Sequence, residues 1–144
     1  MDINQLLKAG EYVLYEWLKD YQQLKQGIDY LEYKLDREET ELKRWVEGDL
    51  AGVKLTDKSI VAKLEVGIQQ LKKDIDLKKQ QLKKLIDLVD TFKGVEHKIL
   101  RLKYVDGLTL EKIADELNYS YSHIKKKHAE LVKLIKFIDE QGII

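Results

Sequence analysis

The chain has 144 residues, contains neither Cys nor Pro, and carries 26 basic and 26 acidic residues, a formal net charge of zero. The absence of Cys excludes a disulfide framework, a thiol nucleophile and a thiolate metal site, and a Pro-free composition rich in charged residues and Leu favours long helices. No run approaches the ~20 apolar residues of a membrane-spanning helix. The segment MDINQLLKAGEYV lacks a basic stretch followed by an apolar core, so we expect a cytoplasmic protein without a signal peptide.

The neutral total charge conceals segments of opposite sign. Residues 1–50 hold 7 Lys and Arg against 12 Asp and Glu, a net charge of −5. Residues 51–94 hold 10 against 6, a net charge of +4, and residues 95–138 hold 9 against 6, a net charge of +3. Because charge distribution matters more than the sum, zero net charge does not exclude binding to DNA.

Heptad repeats run from residue 7 to residue 46. The two rows, offset by three residues, are Leu7, Leu14, Tyr21, Ile28, Leu35 and Leu42, and Gly10, Trp17, Leu24, Leu31, Glu38 and Trp45. Rows at alternating steps of three and four form one stripe along a helix. The pattern predicts a first helix over about residues 3–47, and the glycines of GDLAGVKLTD predict a loop after it.

A second heptad pattern predicts a helix over about residues 58–93. Its rows are Val61, Ile68, Ile75, Leu82 and Val89, and Leu64, Leu71, Lys78, Leu85 and Phe92. Two such helices joined by a loop of ~10 residues form an antiparallel hairpin in the simplest arrangement. An acidic first helix and a basic second helix favour the same pairing, although each exposed ion pair adds only ~0–1 kcal/mol.

Apolar side chains outside these stripes predict self-association. Leu77, Leu88, Tyr30 and Tyr33 lie off the heptad rows, and two helices can shield only one stripe each. Long hairpins with surplus apolar surface complete their core against another copy. We therefore expect residues 1–93 to form a coiled-coil hairpin that assembles a homodimer or higher oligomer. The alternative is a monomeric three- or four-helix bundle with the C-terminal helices folded back.

After Gly94 the pattern changes to shorter elements. VEHKILRLKYV predicts a short amphipathic helix, and Asp106 with Gly107 predicts a turn. Thr109 is the expected N-cap of TLEKIADEL, and Asn118-Tyr119 the expected tight turn. Ser120 is then the expected N-cap of a last helix over about residues 121–138. The prediction is an all-α protein in which the hairpin is followed by a three-helix helix-turn-helix domain, residues 94–144.

The last helix has the composition of a DNA-recognition helix. Ile113, Ala114, Leu117 and Ile124 have the apolar spacing that seats such a helix on the one before it. A recognition helix presents its N-terminal residues to base edges in the major groove, while lysines contact phosphates. The candidate DNA-binding residues are Thr109, Lys112, Ser120, Tyr121, Ser122, His123, Lys125, Lys126, Lys127, His128 and Lys133.

These residues carry a resemblance to known families. VEHKILRLKYVDGLTLEKIADELNYSYSHIKKKHAEL resembles sigma factor region 4, with an apolar helix, a GLT-type helix, a turn, then Ser and a basic helix. The spacing of Ser120, His123, Ile124, His128 and Glu130 is similar to that in small phage transcriptional regulators of the ArpU and RinA type. Lys127 and the LVKL run depart from that pattern.

The resemblance implies a sequence-specific transcriptional regulator of phage origin, acting in the cytoplasm of a bacterial host cell. Its implied partners are double-stranded DNA, a second copy of the chain and RNA polymerase. Two alternatives stay open. One is a DNA-packaging protein like a phage small terminase subunit, in which the DNA-binding module is usually N-terminal. The other is a coiled-coil adaptor that binds RNA polymerase or a sigma factor.

The sequence gives no indication of an enzyme, a cofactor or a metal site. His123 and His128 are five residues apart, which does not align them on one helix face, and no acid or Cys completes a ligand set. Paired acids such as Glu38-Glu39 lie among lysines on helical surfaces with no nucleophile nearby. We therefore expect a binding protein without catalytic residues.

Overall fold

The computed structural model describes residues 11–48 and 57–140. This part of the chain is helical and contains no strand. Its helices are α1 (Glu11–Val46), α2 (Asp57–Val89), α3 (Val95–Leu100), which continues as a π-helical turn (Arg101–Val105), α4 (Leu110–Leu117) and α5 (Tyr121–Glu140). The predicted all-α class, with a long hairpin followed by shorter helices, is confirmed. The predicted start of the first helix near residue 3, the rows through Leu7 and Gly10 and most of the loop lie outside the described residues.

Contacts divide the chain into two compact units. One unit is Gln22–Lys84, the middle of the hairpin, and the other consists of the residues on both sides of that segment. None of the described helices is both long enough and apolar enough to cross a membrane.

In the hairpin unit the predicted heptad stripe is the buried one. Ile28, Ile68, Leu71 and Ile75 are buried, and the other heptad positions of this unit, including the polar Glu38 and Lys78, are half-buried. Lys78 lies beside Gly27, and Lys79 forms an ion pair with Glu32 at 3.0 Å between Nζ and Oε1. The two helices therefore pack antiparallel along one apolar seam.

The other unit has a core built from every helix of the described chain. Its buried residues are Trp17, Leu18, Val89, Ile99, Leu100, Ile113, Ala114, Ile124 and Leu131. The start of α1 and the end of α2 thus share a core with α3, α4 and α5. The packing boundary differs from the division predicted at residue 94, because a heptad row shows which face of a helix is buried but not which partner covers it.

Candidate nucleic-acid interface

A tight turn joins α4 to α5. Asn118 has φ 59°, in the left-handed region that Asn tolerates better than most residues. The backbone N–H of Tyr119 donates to the carbonyl of Ala114 at 3.0 Å, which closes α4. Both predicted N-caps are confirmed: Thr109 Oγ1 accepts from the N–H of Lys112 at 3.3 Å, and Ser120 Oγ accepts from the N–H of His123 at 3.1 Å.

One face of α5 is seated in the core. Ile124, Leu131 and Ile138, seven residues apart, are buried, and Ile124 has no exposed surface. Ile113 and Ala114 of α4 belong to the same core as Ile124 and Leu131. The small side chain of Ala114 allows the two helices to approach closely, as predicted for a helix-turn-helix.

The opposite face of α5 is exposed and basic. Ser122, Lys125, Lys126, Lys133 and Lys136 are all exposed at spacings of three, four and seven residues, so they lie along one side of the helix. From residue 125 to residue 136 this side is ~16 Å long at ~1.5 Å per residue. Within the part of the chain that the structure describes, none of these four lysines forms an ion pair with an acid, which leaves their charge available to a ligand.

The first turn of α5 also exposes two aromatic rings. Tyr121 is 45% exposed, and His123 is exposed as well. The N-terminal end of a helix has backbone N–H groups without helical partners and carries a partial positive charge. The ring of Tyr121, the hydroxyl of Ser122 and the imidazole of His123 therefore lie at the N-terminal end of α5, which favours a negatively charged ligand.

Two predicted contact residues, Lys127 and His128, are instead half-buried and pair with side chains of this unit. Lys127 Nζ forms an ion pair with Glu96 Oε1 at 2.8 Å, which raises the pKa of Lys127 and lowers that of Glu96. His128 Nε2 lies 3.0 Å from the hydroxyl oxygen of Tyr104, and burial lowers the pKa of the imidazole. These contacts join the middle of α5 to α3 and to the π-helical turn that follows it, so both side chains already have partners within the unit.

The remaining predicted residues occupy other positions. Thr109 and Ser120 use their side-chain oxygens as caps. Lys112 is exposed on α4, where it lines a shallow surface depression together with Asp115 and Glu116. The acidic neighbours make this lysine a weaker candidate for a phosphate than those on α5.

Sequence reasoning missed two residues of this surface. Lys136 extends the basic side of α5 by one turn beyond Lys133, as its spacing of three residues would have indicated. Tyr119, which the sequence placed only in the turn, has its ring stacked on that of His123, with centroids 4.9 Å apart and an interplanar angle of 26°. The four-residue separation of an aromatic and a histidine was the available signal.

Helix α3 connects the start of α1 with α5. Trp17 Nε1 donates a hydrogen bond to His97 Nδ1 at 3.1 Å, and the ring of Phe92 packs against the same imidazole at 4.8 Å between centroids. Burial lowers the pKa of His97. The neighbouring residue, Glu96, holds Lys127 of α5. The position of the basic helix therefore depends on residues at the beginning of the chain.

No metal site accompanies this surface: the described residues include no group of three or more His, Cys, Asp or Glu side chains that could hold an ion. Comparisons of the chain with protein-family models, curated proteins and solved structures found no match.

Proposed function

We propose that the protein is a sequence-specific DNA-binding transcriptional regulator, of the phage type that the sequence resembles, and that it acts as an oligomer. The observation that supports this most directly is the two-sided character of α5. Its inner face is fixed by Ile124 and Leu131, and its outer face presents Lys125, Lys126 and Lys133. A helix held in this way after a tight turn has the form of a recognition helix.

In the proposed complex the start of α5 enters the major groove. Tyr121, Ser122 and His123 then meet base edges, and the lysines further along contact the phosphate backbone. The length of ~16 Å from Lys125 to Lys136 corresponds to about five base-pair steps of 3.4 Å. Each of the four lysines can then reach a separate phosphate.

The exposed apolar side chains of the hairpin support the oligomeric part of the proposal. Tyr30 and Tyr33 of α1 and Val66 and Leu77 of α2 are each more than half exposed in the single chain. A second copy that covered them would remove apolar surface from water, which stabilises association. A dimer would present two recognition helices to a site with half-sites ~34 Å apart.

The test is a fluorescence anisotropy titration of a labelled duplex, with the oligomer mass measured by light scattering. We expect a dimer that binds at low salt and releases the duplex as salt rises. Replacing Lys125 and Lys126 by Ala weakens binding, whereas replacing the adjacent exposed pair Lys83 and Lys84 of α2, a matched loss of two charges, leaves it near the unchanged protein.

Each other outcome has a clear meaning. Equal weakening by the two double substitutions would indicate that the duplex is bound through general charge attraction and not through α5. A large ring in place of a dimer would favour DNA packaging. Failure to bind any duplex at low salt would contradict the proposal and favour the adaptor alternative.

A further inference from the structure

Tyr119 and His123 form a stacked pair on the exposed side of the turn. Their ring centroids are 4.9 Å apart with an interplanar angle of 26°, while Tyr119 keeps 45% of its surface exposed. Offset stacking at this distance is a favourable geometry for two flat rings. The pair is therefore an ordered surface feature and not a core contact.

Separate hydrogen bonds fix the backbones of the two residues that carry these rings. Tyr119 lies before α5, and its backbone N–H is fixed to the carbonyl of Ala114 at 3.0 Å. Asn118, with φ 59°, turns the chain so that the residue after it faces the next helix. His123 lies within the first turn of α5, with its own N–H donated to Ser120 Oγ at 3.1 Å. Because both backbones are fixed, the stacking restricts the imidazole to few orientations.

The imidazole of His123 leaves its ring nitrogens available. Among the described residues, no side-chain or backbone group forms a hydrogen bond with these nitrogens, and the residue is exposed. A ring N–H can donate to the N7 of a purine or the O6 of guanine, which are acceptors in the major groove. A hydrogen bond of this kind discriminates between bases only when the donor is held in direction.

We infer that Tyr119 is a positioning residue for base recognition, which orients His123 toward a purine acceptor in the major groove. This inference rests on the proposed function and adds a residue to it. Tyr119 acts through the histidine and is not itself the group that reads the base. Loss of the tyrosine ring then removes the discrimination that His123 provides while the lysines still bind phosphates.

The test begins with the unchanged full-length protein. A duplex pool with a randomised core gives the best-bound sequence, and the Kd for that duplex is compared with the Kd for a scrambled duplex of the same composition. We expect His123→Ala to lower this ratio about tenfold. Tyr119→Ala lowers it by about 3- to 10-fold, and Tyr119→Phe, which keeps the ring, preserves it. The double Ala variant loses no more than His123→Ala alone, because the two residues act as one unit.

A second measurement tests the stacking without DNA. In the unchanged protein the ring current of Tyr119 shifts the imidazole proton resonances of His123, and Tyr119→Ala abolishes that shift. A folded Tyr119→Ala variant with the full ratio of affinities would overturn the inference, as would multiplicative losses in the double variant. Those results leave the proposed function intact. If the unchanged protein binds no duplex, the proposed function fails and the inference fails with it.

Discussion

Trp17 and Trp45 offer a matched pair for testing which residues stabilise the unit that contains α5. Both stand in the same heptad row of α1, four heptads apart, and the sequence predicts equal roles for them. Trp17 is only 4% exposed and donates to His97 at 3.1 Å. Trp45 is half-buried and donates to Glu41 of its own helix at 3.1 Å. The same substitution should therefore have different consequences.

The structure sets the magnitude for each variant. Trp17→Ala opens a cavity in a closed core, and changes of this kind lower the free energy of unfolding by about 3–5 kcal/mol. Trp45→Ala removes an indole that already faces water in part, so we expect a loss of about 1–2 kcal/mol. Trp17→Phe keeps most of the volume but leaves His97 Nδ1 without its donor, at a cost of about 1–3 kcal/mol.

Urea unfolding followed by circular dichroism measures these differences, and the fluorescence of the remaining tryptophan reports on its own surroundings. Since Trp17 belongs to the core that holds α5, Trp17→Ala should also weaken binding to the duplex, whereas Trp45→Ala should weaken it less. Equal losses of stability in the two Ala variants would refute the packing argument. So would a Trp17→Ala variant that unfolds at the same urea concentration as the unchanged protein.

Three further predictions concern salt, pH and the turn. Replacing Lys133 and Lys136 by Ala should reduce the steepness of log Kd against log salt by about 1.8 per bound subunit, measured by anisotropy, because each phosphate contact contributes about 0.9. The free energy of unfolding should fall as pH drops below about 6.5. The reason is that burial lowers the pKa of His97 and His128 in the folded protein, whereas the unfolded chain takes up protons at the ordinary pKa of His. Urea titrations across that pH range measure the effect, and replacing both histidines by Gln should flatten the response. Asn118→Val should lower stability by about 1–2 kcal/mol in thermal unfolding, because a β-branched residue is strained at φ 59°, and Asn118→Gly should change it little.

The local features of the helix-turn-helix could be predicted from the sequence. Thr109 and Ser120 cap their helices, and Ile113 and Ile124 are buried, because capping and helical periodicity depend on residues within a few positions of each other. The hairpin seam was predictable for the same reason. These patterns repeat along the chain and do not require knowledge of a distant partner.

The partners across the core could not be predicted in this way. A run of three lysines gives no sign that Lys127 alone turns to Glu96, 31 positions earlier, while its two neighbours face solvent. The hydrogen bond between Tyr104 and His128 likewise joins residues that are 24 positions apart. Periodicity assigns residues to a face, and only the fold shows which group stands opposite that face.

Under the proposed function, the contacts of α3 connect the first helix to the recognition helix α5. A regulator that reads two half-sites requires each recognition helix to be fixed to the segment that joins the copies. Here adjacent residues of α3 make the two connections: His97 accepts from Trp17 of α1, and Glu96 binds Lys127 of α5. A flexible glycine-rich segment in place of α3 would leave α5 free to move relative to Trp17, and the recognition of half-site spacing would then be weaker. Under the proposed function, the burial of Trp17 therefore contributes to sequence recognition as well as to stability.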